Sequence, residues 1–217
     1  MAFDRQRYLQ PSGLCDFDRR AEIRLKTREL TAGCRNRAEK FSSIFAFVKE
    51  MPYGLEDWDL KASDTLRKGW GMCSGKTNLL VAMMRSAGIP ARYRVYRIKA
   101  DSKLWDQLGK DNDSAARMNE LGDERDHVDC EAWLGKWVAC DAGRDTAMEK
   151  GIVRLSGTLE RQVVADSRGR ARYLRLASLD QWATERQARR AFRSERGDVF
   201  TGANLGIEQI RQFGRAT

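Results

Sequence analysis

The chain has 217 residues, a length suited to one domain that buries enough surface to need no disulfide or metal staple. Hydrophobic residues make up 41% and charged residues 33%, with 3 prolines and 18 glycines, which excludes collagenous, low-complexity and disordered classes. The net charge of +9 is uneven: residues 1–100 carry 20 basic and 11 acidic side chains, residues 101–150 carry 7 and 13, and residues 151–217 carry 13 (all arginine) and 7.

Residues 1–17 read as an irregular lead-in that turns at Pro11-Ser12-Gly13. A helix is predicted from Asp18, its cap, to Leu30, ending near Gly33. A second, from Asn36 to Met51, sets Phe41, Ile44, Phe45 and Val48 at the spacing of a core-facing stripe and stops at Pro52 and Gly54. Residues 53–71 read as a loop with one helical turn at Ala62 to Arg67. Gly69-Trp70-Gly71-Met72-Cys73 then leads into an apolar helix that ends at Gly88, with Pro90 just beyond. Ala91, Tyr93 and Val95 alternate with Arg92 and Arg94 as a strand. Residues 100–125 are polar and acidic and read as a long surface loop or small insertion. His127 to Trp133 and Lys136 to Cys140 make two strands around Leu134-Gly135. Short strands are expected within Gly151 to Val164, and a helix from Ser178 to Arg193. Helices, then strands, then a helical tail give an α+β class.

The longest apolar stretches, such as Leu79 to Met84, are far too short to span a bilayer. The mixed-charge start Met1-Ala2-Phe3-Asp4-Arg5 is unlike a secretory signal, so a cytoplasmic protein with no membrane contact is expected. Five cysteines, at 15, 34, 73, 130 and 140, are odd in number and widely spaced, which argues against a disulfide framework. A single histidine, His127, and no Cys-x-x-Cys pair argue against zinc, and no metal or cofactor is expected.

Gly75-Lys76-Thr77 ends like a phosphate-binding loop, but the position five before Gly75 is Trp70, and no buried strand precedes it. Cys73 carries more chemistry. A cysteine where a glycine loop turns into a helix has unpaired N–H groups and the positive end of the dipole beside its sulfur, which favours the thiolate. The bland reading is a small buried residue, and locally the two stand about even. His127 opens a strand, with Asp129, Glu131 and Trp133 on its face. The hairpin brings Asp141 back towards it, where a carboxylate could fix the tautomer of the ring. Alone, His127 reads more readily as a surface histidine; it is the combination with Cys73 and Asp141 that points to a thiol site.

From Tyr8 to Asp145 the sequence also resembles the transglutaminase-like domains of bacteria. The resemblance lies in Tyr8-Leu9-Gln10-Pro11-Ser12 and Asp16-Phe17-Asp18, in the helix ending Phe45-Ala46-Phe47-Val48, and in Gly69-Trp70-Gly71-Met72-Cys73. It continues in Leu79 to Arg92, then in His127 with Glu131-Ala132-Trp133-Leu134-Gly135, and in Asp141-Ala142. It implies a papain-like core in which the helix bearing the nucleophile packs on an antiparallel sheet, with Cys73, His127 and Asp141 as the catalytic residues. Residues 1–150 would be that core with its N-terminal helices, and residues 151–217 an arginine-rich extension packed on it within the same domain. The chain departs from the family in having Asp129 two after the histidine, which adds negative charge near the base, and Ala142-Gly143-Arg144 after the aspartate.

The implied chemistry is acyl transfer through a thioester, foremost hydrolysis of a peptide or other amide or ester. The oxyanion would be held by the Cys73 N–H and one upstream donor, Trp58 or Tyr53, each of which reads equally as an aromatic core residue. Transamidation or cyclisation in small-molecule biosynthesis is the alternative. From a different class, Arg186, Arg189, Arg190 and Arg193 could form a face for nucleic acid or an acidic partner. Glu185 and Glu195 interrupt that face and no aromatic platform accompanies it, which disfavours nucleic acid. Acidic residues between Ala100 and Asp126 would border the cleft and favour a cationic substrate, against the bland reading of a solvated loop.

Overall fold

The computed structural model describes residues 5–99, Leu104, 124–188 and 196–216. The acidic stretch before residue 124, and Arg189, Arg190 and Arg193, lie outside the described residues, so the expectations resting on them do too. After a short helical turn, Gln6–Leu9, four helices follow: α1 (Ala21–Thr31), α2 (Arg37–Glu50), α3 (Ala62–Lys68) and α4 (Cys73–Ser86). Strands β1 (Ala91–Lys99), β2 (Glu124–Trp133) and β3 (Trp137–Cys140) come next, then α5 (Thr146–Ser156), β4 (Leu174–Leu176), α6 (Asp180–Ala188) and α7 (Arg196–Arg215). The strands form one sheet in the order β3-β2-β1-β4, with every neighbouring pair antiparallel. The class is α+β, with α4 packed on an antiparallel sheet.

Helix α4 is buried at every position from Cys73 to Arg85, as expected of a helix enclosed on all sides. Val128, Cys130 and Ala132 of β2, and Ala91, Tyr93 and Val95 of β1, share its hydrophobic cluster with Ile23 of α1, Ile44 and Val48 of α2 and Ala62 of α3. Strand alternation leaves Arg92, Arg94 and Tyr96 opposite Glu131, Asp129 and His127 in register. The first helix begins at Ala21 rather than Asp18, after Arg20, which caps with no side-chain hydrogen bond. Residues 124–126, grouped by sequence with the acidic loop, are the start of β2.

Where short strands are expected between Gly151 and Val164, the first six residues instead complete a helix. Asp145 Oδ1 accepts the Met148 N–H at 2.9 Å and caps α5, and Gly157, at φ 77°, ends it in the left-handed conformation. Only the tail of that stretch pairs: Val163 bridges Ile98 of β1, with Val164 N–H donating to Arg97 O at 2.9 Å. Gly151 serves helix contact, since a Cβ there would stand 1.8 Å from Ile210 O of α7, and one on Gly214 would stand 1.7 Å from Ala147 O. The sequence reading expects no element beyond Arg193, yet α7 lies there and buries Ala203, Ile207 and Ile210 with Met148, Ile152 and Leu104 in a second cluster.

Polar ties join these parts. Arg211 of α7 pairs with Asp145 at 3.0 Å and donates to Tyr53 O at 2.7 Å. The buried Arg85 donates to Gln10 O, Ala91 O and Ala177 O. Asp180 at the start of α6 accepts from Ser12 Oγ, Gly13 N–H and Leu14 N–H at 2.7–3.0 Å. Among the described residues no helix is long and apolar enough to cross a membrane.

Candidate active site

Each residue of the phosphate-loop lookalike has a structural task. Gly75 faces Glu56 and Thr65, and a Cβ there would stand 2.5 Å from Glu56 Oε1. Lys76 is fully buried and donates to Lys49 O (3.1 Å) and Met51 O (2.5 Å) at the end of α2. Burial, with help from Lys49 and Arg211 and against Asp145, pulls its pKa down to about 7. A neutral amine keeps two N–H donors, matching those two carbonyls. Thr77 Oγ1 donates to Val128 O at 3.2 Å, tying α4 to β2 one residue after His127. The Glu56 carboxylate accepts the Met72 N–H at 2.9 Å and pairs with Lys68, which fixes the loop entering α4. Burial nonetheless raises the Glu56 pKa against those two partners.

These ties set Cys73 at the first position of α4, where backbone N–H groups have no partner within the helix. Its thiol lies beside the imidazole of His127, close enough to act on the pKa of the ring. His127 Nε2 donates to Asp141 Oδ2 at 2.9 Å, which leaves Nδ1 for the thiol. Asp141 follows β3 directly, and its Oδ1 accepts the Gly143 N–H at 2.7 Å. A Cβ on Gly143 would stand 2.9 Å from that same oxygen, so the turn after Asp141 suits a residue without a side chain. The structure thus brings together Cys73, His127 and Asp141, with the thiol and imidazole both buried.

Two features depart from the sequence reading. Asp129 is not an uncompensated charge near the base: Arg94 grips it with two bonds, at 2.8 and 2.5 Å, and Tyr96 Oη donates to it at 3.0 Å. Tyr96 also stacks edge-on against His127 at 5.2 Å. The second feature is Arg161, which sequence reasoning missed. From the segment between α5 and β4, it pairs with Asp141 and sets Nη1 3.0 Å from His127 Nε2. Burial first, then Arg161, lowers the His127 pKa, while Cys73 and Asp129 oppose the shift. Nothing local marks Arg161, one of 13 arginines in the last 67 residues.

Of the two upstream aromatics, Tyr53 reaches the site. Burial and then the neighbouring Cys73 raise its pKa, and its backbone N–H donates to Asp145 Oδ2 at 3.0 Å. Trp58 lies in the main core, edge-on to Trp182 at 4.9 Å. His127, Asp129 and Asp141 present one ligand atom each within 4.8 Å of one another, a geometry that could suit a metal ion. Arg94 and Arg161 already neutralise the two carboxylates, and a cation there would have to displace both guanidinium groups.

A search of curated proteins gives no significant match. Among solved structures, a crystal structure of a protein from Cytophaga hutchinsonii provisionally designated a cysteine protease aligns with a TM-score of 0.47 and 20% identity. The alignment covers 66% of this chain and 43% of that one, so the chain spans less than half the length of that protein. A family profile described as the Transglutaminase-like superfamily matches residues 25–142, more than half of the chain and a span that holds Cys73, His127 and Asp141. By that match, the chain belongs to the transglutaminase-like superfamily.

Proposed function

We propose that the chain is an acyl-transfer enzyme that cleaves an amide or ester through a thioester on Cys73, with amide hydrolysis foremost. The observation that carries this reading is the Cys73 thiol at the start of a buried helix beside His127, whose Nε2 is hydrogen-bonded to Asp141. His127 Nδ1 takes the thiol proton, and the sulfur forms a bond to the substrate carbonyl carbon. The Cys73 N–H and the Tyr53 hydroxyl donate to the oxygen that gains charge. As the C–N or C–O bond breaks, the imidazolium returns its proton to the leaving group. Water then attacks the thioester, giving a proton to His127, and the thiol is regenerated. Asp141 holds the ring in the tautomer that leaves Nδ1 unprotonated.

The test is selective alkylation. Cys34 is more exposed than Cys73, so access alone would make it the faster thiol. Iodoacetamide near pH 6 should instead label Cys73 about a hundredfold faster or more, the lower end of what a positioned base contributes. His127→Ala should abolish the difference, and Asp141→Asn should reduce it. Equal labelling of Cys34 and Cys73 that His127→Ala leaves unchanged would end this reading.

A further inference from the structure

Arg161 meets the site with only one of its nitrogens. Nη1 serves both the pairing with Asp141 and the approach to His127 Nε2. Among the described residues, Nε and Nη2 make no hydrogen bond. The side chain is 17% exposed, so that second edge is reachable yet largely screened from bulk water. It opens beside Gly143, where a Cβ would stand 3.6 Å from Arg161 Nη2 and 3.5 Å from His127 Cε1. That Cβ would also stand 2.9 Å from Asp141 Oδ1, so glycine lets the turn pass close to both the guanidinium and the imidazole. Arg144 Nη1 donates to Leu159 O at 3.3 Å and holds the segment that carries Arg161.

The two carboxylates next to the imidazole are already paired. Asp141 is paired with Arg161, and Asp129 with Arg94. Arg125 and Arg144, besides Arg161, add positive potential at the Tyr53 phenol beside the thiol. The Nε/Nη2 edge of a guanidinium presents two parallel N–H donors that match the two oxygens of a carboxylate, and partial desolvation strengthens such a pair.

We propose that the Nε/Nη2 edge of Arg161 binds a carboxylate of the substrate, so that the site selects acyl compounds with a carboxylate a few bonds from the scissile carbonyl. The assignment rests on Cys73 being the nucleophile. Arg161 keeps Nη1 on Asp141 while its other edge takes the ligand, so recognition and the orientation of His127 share one side chain.

Two neutral and anionic reagents of equal size test it. The rate ratio of iodoacetate to iodoacetamide at Cys73, divided by the same ratio at Cys34, should exceed one by about tenfold, the lower range of electrostatic enrichment at a charged cleft. Arg161→Gln should bring it to about one, and Arg161→Lys should restore part of it. On the unaltered protein, N-acetylglycine should protect Cys73 from iodoacetamide at concentrations where N-acetylglycinamide does not, a readout independent of whether the variants fold. Rapid labelling of Cys73 by iodoacetamide with no anion preference and no protection would overturn carboxylate recognition alone. Sluggish labelling of Cys73 by both reagents would overturn the nucleophile assignment, and carboxylate recognition with it.

Discussion

His127 lies between a thiol and a carboxylate in a chain with no second histidine, so its titration is a single, unambiguous imidazole signal in proton NMR. Burial and Arg161 hold its pKa below 6.5, whereas Cys73 and Asp129 pull the other way. Arg161→Gln should therefore move the midpoint up, and Cys73→Ala should move it down. A midpoint indifferent to both changes would mean that neither side chain acts on the ring. At this scale the hairpin pattern relates His127 to Asp141, and the family resemblance adds Cys73; the structure brings the three together, with His127 inside β2 rather than at its start. Arg161 and the partner of Asp129 are illegible for a physical reason. Their positions depend on cross-strand register and on the path of a loop, neither of which leaves a local signature.

Helix α4 shows how tightly an element can be specified by contacts its own sequence does not display. Three successive residues, Gly75, Lys76 and Thr77, fit respectively against Glu56, the end of α2 and the backbone of β2. Gly75→Ala should lower stability by about 1–3 kcal/mol, the usual cost of overpacking a filled interior, measured by urea denaturation. Because Glu56 also holds the Met72 N–H, the same change should slow Cys73 alkylation by displacing the start of the helix. Unaltered stability would show that the Glu56 carboxylate can move aside at little cost. Helix α5 teaches the opposite lesson. Its signals, Asp145 as cap and Gly157 as terminator, stand in the sequence, but Gly151-Ile152-Val153 resembles a strand to a reading of local preference. The glycine is there for the backbone of α7, a contact across 59 residues that periodicity cannot see.

At the scale of the whole molecule, the matched span of residues 25–142 is not closed on itself. Strand β1 is covered along one edge by β4, and Arg85 at the end of α4 satisfies carbonyls of Gln10 and Ala177, on either side of that span. A chain cut to residues 25–142 would expose the β1 edge and leave a buried guanidinium short of acceptors, a cost of about 3 kcal/mol or more. Thermal unfolding followed by circular dichroism should show a cooperative transition for the full chain and none for the cut one. A sharp transition in the cut chain would show that the flanking pieces are ornament. The α+β class is legible from the order of predicted elements and the helix-on-sheet core from the family resemblance, whereas these closing contacts join residues too far apart in sequence for any local pattern to encode.

The carboxylate of Asp180 holds Ser12, 168 residues earlier, together with the two amides that follow it. A ribosome adding about 5–20 residues per second needs roughly 10–30 s to travel between them. During that interval the lead-in can dock on Ser63 and Arg85 but lacks its Asp180 anchor, and the Arg85 guanidinium waits for the Ala177 carbonyl. Cys73 emerges 54 residues ahead of His127, so, with Cys73 as the proposed nucleophile, the nascent chain carries the sulfur before the base that would activate it. A working thiol would then be a late acquisition of the polypeptide, timed by the arrival of β2 and of Asp141 just after β3.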